Sequence, residues 1–215
     1  MSNTPESPGL LVGLEGIDGS GKTTLALALS RRWRRQGLRV RRWREPSRGL
    51  AGTFARGPGP RTPRERALWF TLDRALRRER LERQLKGSDI VLSDRTLYST
   101  LAYQGSRLGA EDRRALRRLQ EEVARFPDLV ILLDLDPRTA HQRIRAKGRR
   151  KDRFERFDGL LRVRREYLAL ARRESSRFVV LPAHRTLEEL TTEASRAVLR
   201  LRSGSRLRGP RERRG

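Results

Sequence analysis

GLEGIDGSGKTTLALALS, residues 13–30, places a glycine-rich turn, a lysine and two threonines directly before a leucine- and alanine-rich segment with helical spacing. Within it, Gly16, Gly21, Lys22 and Thr23 satisfy the pattern G-x-x-x-x-G-K-[ST]. The short apolar run LLVGLEG comes before the glycines and predicts a buried parallel strand. A strand before the motif and a helix after it are the context in which this pattern binds phosphate. We therefore predict a phosphate-binding loop.

The residue types of this loop suit a nucleoside triphosphate with magnesium. Glycines let backbone N–H groups face the phosphates, and the N-terminus of the following helix adds a partial positive charge. Lys22 is predicted to reach the β- and γ-phosphates, and the Thr23 hydroxyl to bind Mg²⁺. The residues predicted to contact the nucleotide are Gly16, Ile17, Asp18, Gly19, Ser20, Gly21, Lys22, Thr23 and Thr24.

Apolar runs and helical segments alternate along the chain. The runs that predict further strands are LRVRRWREPS, DIVLSDR, DLVILLDL and RFVVLPA. This alternation predicts an α/β protein with the P-loop NTPase fold, a parallel sheet of about five strands and helices on both faces. Residues 49–63 lack periodicity and predict a loop, and one long helix is predicted from Pro63 to Gly87.

The composition limits the class of protein. The 215 residues correspond to one domain by length, and they include no cysteine, which excludes disulfides and Cys-ligated metal sites. The stretch MSNTPESPG at the start is polar, and no apolar run is long enough to span a membrane. We therefore expect a cytoplasmic protein without membrane association.

The formal charge of +25 comes almost entirely from arginine. One interpretation is a surface for nucleic acid, since arginine neutralises phosphates. The other is arginine spread over solvated helix faces, and it is favoured because the arginines are scattered among glutamates without a DNA-binding motif. The final stretch RLRSGSRLRGPRERRG has like charges and no apolar periodicity, so we expect a disordered basic tail over residues 203–215.

A phosphate-binding loop alone does not distinguish an ATPase, a GTPase and a kinase. The guanine-binding pattern N-K-x-D is absent from the sequence, which argues against a Ras-like GTPase. Several blocks remain that could bind a second substrate. They are Arg44 and Glu45 in WREP, Phe70 and Arg74 four residues apart on one helix face, Asp94 and Arg95 at the end of a strand, Tyr103 and Gln104 after them, and the basic segment RAKGRRKDRFE.

Together these blocks resemble the thymidylate kinase family, and the resemblance covers residues from about Leu10 to Leu201. The stretch with the pattern D-R-x-x-x-S-[ST]-x-A-Y-Q-G is the most specific of them. The matching segments are the loop E-G-x-[DE]-G-x-G-K-T-T at 15–24, R-E-P at 44–46, F-x-x-D-R at 70–74, the D-R stretch at 94–105, D-R-[FI]-E at 152–155 and R-x-x-Y-L-x-L-A at 164–171.

The resemblance implies a reaction and an organisation of the chain. The reaction is transfer of the γ-phosphoryl group of ATP to dTMP with Mg²⁺, which gives dTDP and ADP for dTTP biosynthesis. The implied nucleoside monophosphate kinase domain spans residues 10–202, with a lid at about 146–156 and a flexible N-terminus at 1–9. The resemblance also implies a homodimer, and the reaction requires no nucleic acid.

The resemblance also implies roles for the substrate-binding residues. Two arginines would clamp the acceptor phosphate, because guanidinium geometry suits phosphate oxygens. An aromatic ring would stack on thymine. The implied assignments are Arg44 and Arg95 for the acceptor phosphate, Phe70 for stacking, Arg74 for a carbonyl of the base, Tyr103 for the sugar and Gln104 for the base.

The remaining implied roles concern catalysis and metal. Asp18 would accept from the sugar hydroxyl or help place a clamp arginine, and Asp94 would hold Mg²⁺ through water. The family carries its transition-state arginine either in the phosphate loop or in the lid. The loop position here is Gly19, so the lid version applies. The first candidate is Arg153, with Arg149 and Arg150 beside it, and the predicted catalytic set is Lys22, Asp18, Arg95, Arg153 and Arg149.

Departures from the family pattern leave alternatives open. Ser47, Arg48 and Gly49 follow R-E-P where Gly-Gly-Thr is usual, and Thr96 and Tyr98 replace the common residues after D-R. These bear on strict thymidylate specificity more than on kinase chemistry. A deoxynucleoside kinase would share the fold but would not need two arginines for an acceptor phosphate. A basic P-loop ATPase acting on DNA would explain the charge but gives no role to the base-binding residues.

Overall fold

The computed structural model describes residues 8–57, 62–146 and 157–207. Its centre is a parallel sheet of five strands in the order β2-β3-β1-β4-β5. This confirms the predicted α/β architecture and its strand number. The strands are β1 (Leu10–Glu15), β2 (Val40–Arg44), β3 (Ile90–Asp94), β4 (Leu129–Asp134) and β5 (Phe178–Pro182).

Helices connect the strands. Within the described residues they are α1 (Lys22–Arg35), α2 (Leu50–Arg56), α3 (Pro63–Ala75), α4 (Arg78–Lys86), α5 (Leu97–Tyr103), α6 (Ala110–Val123), α7 (Pro137–Ala146), α8 (Phe157–Arg173) and α9 (Leu187–Leu207). No helix among these residues is both long and apolar enough to cross a membrane.

Both faces of the sheet are covered, as alternating side chains on one strand show. Leu11 of β1 packs in a cluster with Leu81 and Leu85 of α4. Val12, the next residue, belongs to a larger cluster that includes Leu29 of α1. Successive side chains of a strand point to opposite faces, so α1 and α4 lie on opposite sides of the sheet. This explains why the strands are nearly continuous apolar runs.

The strand register aligns the residues that form the site. Asp94 of β3 pairs with Leu14 of β1 on one side and with Arg44 of β2 on the other. Because the strands are parallel, the residues after them meet at one edge of the sheet, where α/β proteins bind ligands. The phosphate-binding loop, the R-E-P segment and the D-R segment therefore converge at the carboxyl edge.

Three predictions from the sequence were wrong in detail. Residues 50–56 form α2 rather than a loop, because Ala51 and Ala55 are buried and Phe54 stacks on Trp69 of α3 at 4.9 Å. The long helix predicted over 63–87 is interrupted at Leu76 and Arg77. The interruption lets α3 line the site while α4 packs on the sheet. The last helix continues to Leu207, past the predicted boundary at 202.

Candidate active site

The phosphate-binding loop curls around its own lysine. Gly16, Gly19 and Gly21 have φ angles of 138°, 85° and 97°, which favour glycine. The Lys22 Nζ donates to the carbonyl oxygens of Gly16 and Ile17, each at 2.9 Å. Burial lowers the pKa of the Lys22 ammonium to about 8, and the positive charge of Arg95 adds to this effect. The ammonium is thus held by carbonyls of the loop, where phosphate oxygens can replace them.

The loop has no room for a side chain at the position of Gly19. A Cβ built there would lie 2.9 Å from the carbonyl oxygen of Ala140, on α7. The Arg143 Nη1, on the same helix, donates to the Gly19 carbonyl at 3.4 Å. The helix that leads into residues 147–156 is therefore packed against the phosphate-binding loop. The predicted lid arginines Arg149, Arg150 and Arg153 lie outside the described residues.

The two predicted metal-binding residues are in contact. The Thr23 Oγ1, at the start of α1, donates to Asp94 Oδ2 at 2.7 Å, and Asp94 ends β3. A hydroxyl and a carboxylate are hard oxygen donors of the kind that Mg²⁺ prefers. The described residues contain no cluster of three or more His, Cys, Asp or Glu side chains that could hold a metal. Such a sparse donor set fits Mg²⁺, which is usually bound through few carboxylates together with substrate phosphates.

A cavity of about 480 Å³ opens beside the loop, between α3, α5 and the segment after β2. Asp18 of the loop forms part of its wall. The structure thus brings the predicted substrate residues together, although they come from four separate parts of the chain. The predicted residues that line the cavity are Arg44, Phe70, Arg74, Arg95, Tyr103 and Gln104.

Arg95 joins this cavity to the phosphate-binding loop. Its Nη2 forms an ion pair with Asp18 Oδ1, and its Nη1 donates to Ser99 Oγ at 3.0 Å. The guanidinium carbon lies 5.0 Å from the centre of the Tyr103 ring. Burial opposes the charge of Arg95, but Asp18 together with Tyr103, Tyr167 and Glu15 outweighs this effect and holds the pKa of Arg95 well above its usual value. Of the two contacts predicted for Asp18, the structure shows the one with Arg95.

Arg74 is held by protein groups on the floor of the cavity. Its Nε and Nη2 donate to Glu45 Oε2 at 2.9 and 2.7 Å, and its Nη1 donates to Gln120 Oε1 at 2.6 Å. A fourth bond, at 3.3 Å, goes to Thr100. Four bonds fix the guanidinium in one orientation. Glu45 belongs to the WREP block but had no predicted role. Gln120 lies in a helix rich in charged residues, and no motif in the sequence marks it.

The segment after R-E-P is fixed by α3 in spite of its unusual sequence. The Ser47 backbone N–H donates to Asp73 Oδ2 at 2.8 Å, and its hydroxyl also donates to that carboxylate. A Cβ built at Gly52 would lie 2.4 Å from the Ser47 carbonyl oxygen, so α2 packs directly on this segment. Ser47 stands where glycine is usual, and its hydroxyl makes a bond to Asp73 that a glycine could not make.

A buried carboxylate that sequence reasoning did not assign lies behind Arg95. Glu15, the last residue of β1, is fully buried and accepts four hydrogen bonds. Burial raises the pKa of Glu15, while the charge of Arg95 and the bonded hydroxyls oppose that rise. Its place in the quoted loop pattern E-G-x-[DE]-G was the only signal available. The donors are Thr96 N, Thr96 Oγ1, Ser99 Oγ and Tyr167 OH.

A phosphate-binding loop that faces an arginine-lined cavity across one sheet edge is typical of a P-loop phosphotransferase with a phosphate-bearing acceptor. Comparison with known proteins gives the particular family. The family model described as thymidylate kinase matches residues 14–194. The chain therefore belongs to the thymidylate kinase family, and it phosphorylates dTMP with ATP as the donor. The predicted resemblance and reaction are confirmed.

Individual relatives cover nearly the whole chain. A thymidylate kinase of Leifsonia xyli subsp. xyli is 41% identical over 203 residues, which are 90% of this chain and 96% of that protein. A thymidylate kinase of Deinococcus radiodurans is 40% identical, with 89% and 97% covered. A probable thymidylate kinase of Archaeoglobus fulgidus is 34% identical, with 88% and 94% covered.

The lowered pKa of Lys22 predicts how ATP binding depends on pH. Below pH 8 the ammonium is charged in the free protein, and the dissociation constant for ATP with Mg²⁺ should be nearly constant. Above this value binding must take up a proton, so the dissociation constant should rise by up to about tenfold per pH unit. Calorimetric titration of ATP with Mg²⁺ at several pH values measures this dissociation constant. Lys22→Arg, which stays charged, should bind less tightly but with a flat profile. A flat profile in the unmodified protein would contradict the prediction.

Proposed function

We propose that dTMP binds in the arginine-lined cavity with its phosphate between Arg44 and Arg95, facing the γ-phosphate of ATP on the loop. The observation that carries this proposal is the ion pair between Arg95 and Asp18, which links the cavity to the phosphate-binding loop. Transfer between two anions needs close alignment and neutralisation of charge, and a cation placed between them supplies both. The positive charge of Arg44, at the carboxyl end of β2, adds to it.

The base would occupy the far end of the same cavity. Phe70 and Arg74 lie four residues apart on α3 and both line it, so a thymine stacked on the ring would face the guanidinium. The four bonds that hold Arg74 make it a fixed donor for a carbonyl of the base. Tyr103 and Gln104, from the end of α5, would close the cavity around the sugar and the base.

Magnesium would be held at Thr23 and Asp94, whose side chains are in contact. When bound, Mg²⁺ neutralises charge on the β- and γ-phosphate oxygens. The hydroxyl of Thr23 would bind the ion directly, and Asp94 would hold it through water. Both substrates are charged nucleotides that do not cross membranes unaided, so we place the enzyme in the cytoplasm.

The proposed phosphate site predicts which acceptor the enzyme prefers. The catalytic efficiency, kcat/KM, should be higher for dTMP than for thymidine by at least about a hundredfold, because two charge-assisted contacts of about 1.5–3 kcal/mol each depend on the phosphate. Arg95→Ala should remove most of this preference by lowering kcat/KM for dTMP alone. Coupled detection of ADP measures both rates. Arg83→Ala, on the exposed side of α4, is the control and should leave the ratio unchanged. A preference for thymidine would contradict the proposed phosphate site.

A lid arginine would complete the charge neutralisation at the transferring group. Gly19 has no space for a side chain, and α7 brings the chain beside the loop before residues 147–156. These two observations support a cation delivered from the lid rather than from the loop. Arg153 is our first candidate, with Arg149 and Arg150 as neighbours.

Arg153→Ala should lower kcat by about 10³-fold with little change in KM for dTMP, because an arginine finger acts mainly in the transition state. Steady-state kinetics with ATP and dTMP measure both constants. Arg145→Ala, at an exposed position of α7 just before the lid, is the matched control and should retain near-normal kcat. If Arg149→Ala or Arg150→Ala lowers kcat instead, the assignment within the lid is wrong; if none of the three does, the lid mechanism is wrong.

We also propose that the enzyme is a homodimer formed through α2 and α3. Large apolar side chains are exposed there: Leu68 and Leu72 on α3 and Leu76 directly after its end recur every four residues along one side. Their exposed fractions are 51%, 43% and 72%. Phe70 and Arg74 lie on the other side of the helix, so a second copy packed on the leucines would support the cavity from behind. Burial of such an apolar patch favours association.

Leu72→Glu should convert the dimer into a monomer, because two charged groups would have to be buried at a two-fold interface. Light scattering after size-exclusion chromatography measures the mass directly. Leu187→Glu is the matched control, since Leu187 is 44% exposed in the first turn of α9, where an acidic residue is tolerated. A monomeric unmodified protein, or a Leu72→Glu variant that remains dimeric, would contradict the proposed interface.

A further inference from the structure

Glu15 is a buried charge that the reaction as described does not use. Its side chain has no exposed surface. Oε1 accepts from the Thr96 N–H and from Thr96 Oγ1, both at 2.7 Å. Oε2 accepts from Ser99 Oγ and Tyr167 OH, also at 2.7 Å each. All four donors come from α8 or from the segment that follows Arg95.

A charge in this position is costly for the fold. Removing a carboxylate from water costs several kcal/mol unless a cation or several donors compensate, and well-packed apolar groups are often at least as stabilising. Three of the four donors are hydroxyls, which a neutral group could also satisfy. Arg95 is a cation whose charge acts on Glu15, and its Nη1 donates to Ser99, which donates to Glu15. The charge of Glu15 therefore matters for Arg95 more than for packing.

Arg95 needs such support because its backbone is strained. Its φ of 75° is the only positive φ of a non-glycine residue in the described part of the chain. A left-handed conformation is unfavourable for a residue with a Cβ, and it persists only where neighbours fix it. Glu15 fixes the next residue, Thr96, through both its backbone N–H and its hydroxyl.

The same carboxylate also fixes the guanidinium end of Arg95. Ser99 Oγ donates to Glu15 and accepts from Arg95 Nη1 at 3.0 Å. Tyr167 OH donates to Glu15 from α8, the helix that follows residues 147–156. Glu15 thus holds Arg95 at its backbone through Thr96 and at its charged end through Ser99.

We infer that Glu15 is a positioning residue for the acceptor phosphate, because it sets the backbone and the guanidinium orientation of Arg95, and that Tyr167 ties α8 to the same carboxylate. The inference rests on the proposed role of Arg95 as a ligand of that phosphate. Glu15 touches neither substrate. Its loss should therefore weaken dTMP binding through Arg95 and leave the ATP side largely intact.

The test compares Glu15→Gln with the unmodified enzyme and repeats the change in an Arg95→Lys background. Glu15→Gln should raise KM for dTMP by roughly tenfold to a hundredfold, since small misplacements of a positioning group cost this much, with KM for ATP within about twofold. In the Arg95→Lys background the same change should raise KM for dTMP by less than about threefold, because the interaction it supports is already lost. Calorimetric titration of dTMP without ATP should show the same pattern.

A second pair of variants separates positioning from general stability. Tyr167→Phe should raise KM for dTMP by roughly threefold to tenfold, because one of the four bonds to Glu15 is lost. Tyr98→Phe is the matched control: Tyr98 is also fully buried and donates to a different carboxylate, that of Glu174. It should leave KM for dTMP unchanged even where thermal denaturation shows equal destabilisation. This pair gives a result even if Glu15→Gln does not fold.

Three outcomes would overturn the inference. The first is an unchanged KM for dTMP in Glu15→Gln while Arg95→Lys raises it. The second is an equal effect of Glu15→Gln in both backgrounds, since independent effects multiply. The third is an equal effect of Tyr98→Phe and Tyr167→Phe. If Arg95→Lys itself leaves dTMP binding unchanged, the proposed acceptor site is wrong, and that failure is distinct from the other three.

Discussion

The ion pair between Arg95 and Asp18 joins the two halves of the site. Asp18 belongs to the phosphate-binding loop after β1, and Arg95 follows β3, the neighbouring strand. Parallel pairing of these strands places both residues at one edge of the sheet. The pairing register of β1 and β3 therefore sets the position of the acceptor relative to the donor, and the side chains refine that position. A change that shifted β1 relative to β3 would separate donor and acceptor even if every residue that contacts substrate were retained.

Charged groups of the site are removed from water, which is unfavourable, and neighbouring groups of opposite charge compensate for it. Lys22 is buried and Arg95 is mostly buried; burial and the charge of Arg95 both lower the pKa of the lysine. Carboxylates at Glu15, Asp18 and Asp94 oppose that shift. The free enzyme thus holds a nearly balanced set of charges before it binds two polyanions and a cation. This local balance is unrelated to the large overall charge, which is spread over exposed arginines.

Several features could be predicted from short stretches of sequence because interactions between neighbouring residues determine them. Glycines at 16, 19 and 21 are required by positive φ angles, and these fix the loop irrespective of the rest of the chain. The apolar strands had to be buried. By contrast, α2 could not be read from residues 50–56, since its apolar contacts are with α3. The interruption at Arg77 likewise has no proline or glycine to mark it, and results from packing of α4 on the sheet.

The sequence by itself therefore determined the fold class, the phosphate-binding loop and the family, because each depends on residue types at short, fixed spacing. Only the tertiary structure decided how the arginines are held. Arg74 takes its partners from Glu45 and Gln120, and Glu15 takes Tyr167 from 152 residues away. Hydrogen bonds over such distances are set by the meeting of strands and helices in space. Glu45 and Tyr167 belong to recognisable sequence blocks, but nothing local in the sequence pairs them with Arg74 or with Glu15.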